Sequence, residues 1–276
     1  MNRTRTAVIT AGLVAALTVP VAATSAEAAR KPPARQAIGL VGGTTLVQFP
    51  VSRASKVKRL GSIQGLAGDT EVVGIDYRVQ DRKLYAVGDQ GGIYTLDTRA
   101  RATKVSQLSV ALSGTAFGVD FNPAADRLRV VSNTGQNLRH NLADDTTVVD
   151  GTLTYPATPT APAATATGVV AAAYTNNDLD PDTATTLYDL DTALDQVVTQ
   201  VPANAGTLAA TGKFGLNAGG DAGFDIVGSQ STGYATMSFA GSYRLYSVDL
   251  ISGDADRRGT FPRSLQVSDI ALPIPR

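Results

Sequence analysis

A short pattern returns five times along this chain, and its recurrence constrains the fold more tightly than any other feature. Val73-Gly74-Ile75-Asp76-Tyr77 reappears as Phe117-Gly118-Val119-Asp120-Phe121, in weakened form as Ala171-Ala172-Ala173-Tyr174, and again as Gly223-Phe224-Asp225-Ile226 and Val267-Ser268-Asp269-Ile270. Counted at positions 76, 120, 173, 225 and 269, the intervals are 44, 53, 52 and 44 residues. A fixed period of this length marks a fold built by stacking one supersecondary unit repeatedly. A second pattern falls between the copies: Ile93-Tyr94-Thr95-Leu96-Asp97, Leu187-Tyr188-Asp189-Leu190-Asp191 and Leu245-Tyr246-Ser247-Val248-Asp249, with degenerate versions at Leu46-Val47-Gln48-Phe49 and Leu138-Arg139-His140-Asn141. Apolar residues at alternate positions, ending in Asp before a turn, describe a strand with one packed face. Most copies are followed by a further short strand, at Lys56 to Ser62, Thr103 to Leu108, Thr146 to Leu153 and Gln196 to Val201.

Four strands per unit, without helical periodicity, predict an all-β chain: a five-bladed β-propeller of four-stranded antiparallel blades. The last copy, Gln266 to Ile274, has no strands after it, and the first blade, Ala37 to Ile63, has no copy before it. The two fragments complete one another. The C-terminal strand is therefore expected to become the innermost strand of the N-terminal blade, closing the ring and leaving no broad unpaired edge. The alternative architecture, a two-sheet β-sandwich, leaves the matching of the chain ends unexplained. Residues added in the longer intervals fall in a Pro-containing excursion, Tyr155 to Thr167, and in an Asp-rich loop, Asn176 to Ala184.

Residues 1–28 stand apart from the repeats. Arg3 and Arg5 precede an uncharged apolar run from Ala7 to Val19, and Ala26-Glu27-Ala28 has the small-x-small form of a cleavage site, which together read as a signal peptide. Pro20 interrupts the run, which is short of the roughly 20 apolar residues that cross a bilayer. Residues 29–36, basic and Pro-containing, read as a disordered linker, and 37–276 as a single propeller domain. The chain is expected outside the cell, or in the periplasm where the source has an outer membrane, with no membrane span after cleavage.

Composition narrows the chemistry. The 276 residues contain no Cys and one His, His140, which excludes zinc-finger, iron–sulfur and thiol-nucleophile sites. Charge balances to zero, with 24 basic and 24 acidic residues, so nucleic acid is not an expected partner. Asp76, Asp120, Asp225 and Asp269 recur on the predicted innermost strands and would border the channel. Such carboxylates can hold a divalent cation or polarise a substrate; they can equally accept a backbone N–H of the next blade. Asp178, Asp180 and Asp182 alternate like the start of a calcium loop, with Asp189 at the twelfth position, yet Thr183 replaces the sixth-position Gly and Asp the bidentate Glu. Asn133, Gln136, Asn137, Tyr174, Asn176 and Asn177 offer neutral hydrogen bonds and an aromatic face suited to a sugar or peptide, in a composition that tight turns also demand. A Ser hydrolase would need His140, which reads as a lone polar residue on a blade surface, and no Gly-x-Ser-x-Gly elbow is present.

The runs Gly114-Thr115-Ala116-Phe117-Gly118-Val119-Asp120-Phe121-Asn122-Pro123, Asp126-Arg127-Leu128-Arg129-Val130-Val131-Ser132, Thr134-Gly135-Gln136-Asn137-Leu138-Arg139 and Ala172-Ala173-Tyr174-Thr175-Asn176-Asn177 resemble a bacterial secreted family, domain of unknown function 4394. The resemblance covers about Ala37 to Ile274 and implies export and a repeat-built β fold. It brings no catalytic residues. The expected function is that of a secreted, monomeric binding or scaffold module for an extracellular glycan, peptide or small molecule, with no required cofactor and Ca2+ as an optional one. The alternative is a carboxylate- or calcium-dependent hydrolase of an extracellular glycan that uses Asp76, Asp120, Asp225 and Asp269.

Overall fold

The computed structural model describes residues 35–180, 182–226, 228 and 231–274, within one compact unit. The expected signal peptide, 1–28, and residues 29–34 of the expected linker lie outside the described residues. Gln36, assigned to that linker, is already the first residue of a strand and pairs with Pro50.

Five four-stranded antiparallel sheets make five blades, each written here from its innermost strand outward. Blade 1 runs Val267–Ala271, Gln36–Val41, Thr45–Pro50, Lys58–Ser62. Blade 2 runs Val72–Tyr77, Leu84–Gly88, Gly92–Leu96, Ala102–Gln107. Blade 3 runs Phe117–Asn122, Arg127–Ser132, Asn137–Asn141, Thr146–Val149. Blade 4 runs Val169–Tyr174, Leu187–Asp191, Gln196–Gln200, Leu208–Lys213. Blade 5 runs Ala222–Ile226, Thr232–Phe239, Ser242–Asp249, Ala255–Thr260. The chain ends meet as expected: Ile38, Gly39 and Leu40 pair with Ala271, Ile270 and Asp269.

Blades pack face against face, so their middle strands are covered on both sides. Leu84–Gly88 is buried at every position, as is Val169–Tyr174, whereas the outermost strand Ala102–Gln107 is mostly exposed. Between blades 1 and 2 the filling is Ile38, Leu40, Leu46, Ile75, Leu84 and Tyr94, among others. Burying each large apolar side chain contributes about 1.5–3 kcal/mol, so these interblade layers carry the stability of the ring. The Asp that ends the second sequence pattern folds the chain back: Asp97 accepts the N–H groups of Arg99 and Arg101, and Asp249 those of Ile251 and Ser252.

Blade 4 corrects one alignment. Leu187–Asp191 is its second strand and Gln196–Gln200 its third, with Leu208–Lys213 outermost, so the copy at Leu187 is not equivalent to those at Ile93 and Leu245. Middle strands on either side of a turn share the same alternation, and the pattern does not distinguish them. The Pro-containing excursion carries a two-stranded ladder, Thr154–Tyr155 with Ala164–Thr165.

Candidate functional site

The innermost strand of each blade has an inward edge whose N–H groups lack a ladder partner, and the recurring Gly-x-Asp answers both parts of that problem. Glycine removes the side chain where adjacent blades touch: a Cβ on Gly118 would lie 2.5 Å from the Ala172 nitrogen, and one on Gly223 would lie 2.3 Å from the Asp269 Cα. Two residues on, on the same face, aspartate accepts an N–H from the neighbour. Phe121 N donates to Asp76 Oδ2 at 2.8 Å, Tyr174 N to Asp120 Oδ1 at 3.1 Å, and Leu272 N to Asp225 Oδ2 at 2.5 Å.

Asp269 does not belong to that layer. The donors lie one residue beyond Asp120, Ala173 and Ala271 respectively, so the fifth place in the ring is Ala271. Asp269 lies two residues earlier, level with the glycines, and accepts N–H groups from Ile75 and Ile270, each at 2.8 Å. A slip of two residues keeps a side chain on the same face of a strand, which is why the sequence alignment absorbs it.

Asp76, Asp120 and Asp225 converge. One carboxylate oxygen from each lies within 4.8 Å of the others, and among the described residues no other group of three or more metal-ligating side chains does so. All three are buried, at 4%, 1% and 1% exposure. Burial, then the charge of Asp225, holds the Asp76 carboxyl well above the usual carboxylate range. Burial, then Asp76 and Asp225, does the same to Asp120. Burial pushes Asp225 up to about 7 and raises Asp269 well above its ordinary value. Chemically the centre favours a proton or a cation over three free negative charges.

The amide-rich set is distributed through turns and interfaces. Asn133 Oδ1 accepts from Thr115 N and Ala116 N, and Gln136 spans Ser113 N and Ala111 O. Asn137 is buried, donating to Gly151 O and Ala203 O while accepting from Arg129. Asn176 donates to Ala184 O and Asn177 to Ile226 O. Asp178, Asp180 and Asp182 are exposed and form successive local turns, with Asp180 N donating to Asp178 and Asp182 N to Asp180. Asp189, the twelfth position, is instead buried inside blade 4 with neither oxygen hydrogen-bonded. Burial raises its pKa, opposed by the charge of Arg129.

Arg129 is the group that sequence reasoning missed. It is 2% exposed and joins blades 3 and 4, donating to Asn137 Oδ1, Asp150 Oδ2 and Asn204 Oδ1, each at 2.7 Å, and to Tyr174 Oη at 3.3 Å. A signal for it exists. The residue paired with the ring position is Tyr85 in blade 2, Tyr188 in blade 4 and Tyr234 in blade 5, and Arg129 in blade 3.

His140 is fully buried, not on a blade surface, because it lies between blades 2 and 3. Ser106 Oγ donates to Asp145 Oδ1 at 2.5 Å and lies 2.8 Å from His140 Nε2, while Thr147 Oγ1 is 3.0 Å from Nδ1. Burial lowers the His140 pKa, opposed by the charges of Asp145 and Asp144, and so favours the neutral imidazole. Ser106, Asp145, His140 and Thr147 thus form a polar clip between blades 2 and 3.

Two of the concavities among the described residues bear on function. One, about 440 Å³, is at the channel mouth and is lined by Glu71, Asp221, Arg263, Gln266, Ser268 and Asp269, among others. The larger, about 950 Å³, is a cleft between blades 1 and 2. Its apolar lining includes Ile38, Leu46, Leu60, Tyr77, Leu84 and Leu96, and its polar lining includes Gln48, Arg82, Lys83, Thr95 and Thr103.

Comparison with known proteins adds family and fold. The family described as Domain of unknown function (DUF4394) matches residues 45–271. No curated protein matches the sequence. Among solved structures, a chain of the nidogen/laminin complex superposes with a TM-score of 0.50 at 13% identity, over 87% of this chain and 98% of that one. A structural genomics protein of unknown function from Bacteroides thetaiotaomicron VPI-5482 gives 0.48 at 15% identity, over 86% and 64%.

Proposed function

The chain belongs to the DUF4394 family, which supplies no activity to carry over, and we propose that it is a secreted, non-catalytic binding module whose ligand occupies the cleft between blades 1 and 2. The single observation behind this reading is the cleft itself. At about 950 Å³ it falls in the size range of small-molecule sites, which join apolar walls to a few placed polar groups. Arg82, Lys83, Thr98 and Thr103 are exposed at its edge. Lys83 is 3.9 Å from Asp81 and Arg101 pairs with Asp97 at 2.7 Å, while no salt bridge involves Arg82 among the described residues. Apolar walls with a cationic edge suit a small amphipathic molecule bearing an acid group. Export is supported by the sequence of residues 1–28.

The hydrolase alternative would need a glycan to reach Asp76, Asp120 and Asp225. Those carboxyls are buried and each holds a backbone N–H, so the binding reading is preferred. An aromatic sulfonate, 8-anilinonaphthalene-1-sulfonate, is a suitable probe. The folded chain should bind it at one site with enhanced fluorescence, Arg82→Glu should weaken binding about tenfold, equivalent to about 1.4 kcal/mol, and Thr103→Trp should obstruct it. Binding that neither substitution alters would remove the cleft from the account.

A further inference from the structure

Asp76, Asp120 and Asp225 come from three different blades, and each is oriented by a backbone N–H of another blade on one of its oxygens. For Asp225 the other oxygen, Oδ1, is buried without a hydrogen-bond partner of good geometry. No Lys, Arg or His nitrogen forms a salt bridge to any of the three among the described residues. The two remaining places in the layer are Ala173 and Ala271, whose methyl groups add neither charge nor bulk. The channel mouth is lined by Glu71, Asp221 and Asp269 with Arg263 among them.

From the convergence of these oxygens and the unpartnered Asp225 Oδ1, we propose that the centre of the ring is a calcium site, with Asp76, Asp120 and Asp225 each supplying one oxygen and water completing the shell. Oxygens bound to one Ca2+ at 2.3–2.6 Å lie at most about 5 Å apart, a limit met by the three carboxylate oxygens, all within 4.8 Å of one another. Such an ion ties blades 2, 3 and 5 together and offsets the burial that raises all three carboxyls, together with the neighbouring aspartate charges that add to it at Asp76 and Asp120. The site is separate from the exposed Asp178, Asp180 and Asp182 loop and from the cleft between blades 1 and 2.

The test uses the mature chain freed of metal with a chelator at mildly alkaline pH. Added CaCl2 should raise the melting temperature by roughly 5–10 °C once calcium is about a hundredfold above its dissociation constant, and isothermal titration should count one ion per chain. Asp225→Asn, which keeps an oxygen for Leu272 N–H, should remove both responses. A combined Asp178→Asn, Asp180→Asn, Asp182→Asn variant should retain them. Unchanged melting of the wild-type chain in millimolar CaCl2 would overturn the proposal even if Asp225→Asn fails to fold, and so would binding lost only in the loop variant.

Discussion

A chain ending at Gln266 is expected to show no cooperative melting transition. The deletion removes the innermost strand of blade 1, and with it Val267, Ile270 and Leu272, each 1% exposed or less. Those three side chains account for about 5–9 kcal/mol at about 1.5–3 kcal/mol each, against a total stability of about 5–15 kcal/mol for a folded protein. The loss extends beyond apolar area. Two latches disappear, Leu272 N–H to Asp225 and Ile75 N–H to Asp269, and Gln36–Val41 gains an unpaired inward edge. Val47, Phe49 and Phe261, packed around the same strand, face water. Circular dichroism during heating reads the outcome, and a sigmoidal melt within a few degrees of the full chain would show that the ring does not depend on this closure.

Gly118→Ala should have a large effect for a change of one methyl group. Its Cβ would approach the Ala172 nitrogen at 2.5 Å and the Ala171 carbonyl carbon at 2.6 Å, and both are backbone atoms of the neighbouring innermost strand. A side chain could rotate away; a strand fixed by its own ladder must move the blade. Overpacking typically costs about 1–3 kcal/mol, and contact with backbone places this substitution at the upper end, a fall in melting temperature of roughly 6–12 °C for a chain of this size. Gly220→Ala is the control. No atom lies within 4 Å of its added Cβ, and the change should stay within about 0.5 kcal/mol.

The architecture was readable because a propeller repeats its constraints. Three of the five blades use the same small residue at the contact and the same acceptor two residues later, so Gly74, Gly118 and Gly223 recur with Asp76, Asp120 and Asp225, and the unmatched chain ends point to one shared blade. The errors also have a physical pattern. Asp269 aligned with the ring although Ala271 occupies that place, because the strand period of two hides a shift of two. Leu187–Asp191 was matched to third strands because second and third strands carry the same alternation. His140 is buried and Arg129 joins two blades because each meets partners more than 20 residues away, Ser106 for one and Asn204 for the other, and such meetings have no local signature. The amides of Asn133, Gln136 and Asn137 carry both chemistries, recognition and turn formation, and composition alone does not separate them.

Amide hydrogen exchange at Tyr174 in an Asp120→Ala variant addresses the interblade latch most directly. If carboxylates fasten neighbouring blades through backbone N–H groups, exchange at Tyr174 should accelerate about tenfold, the effect of a bond contributing about 1.4 kcal/mol, while Phe121, held by Asp76, stays slow. Exchange at Tyr174 that does not change, or that rises equally at Phe121, would contradict the latch.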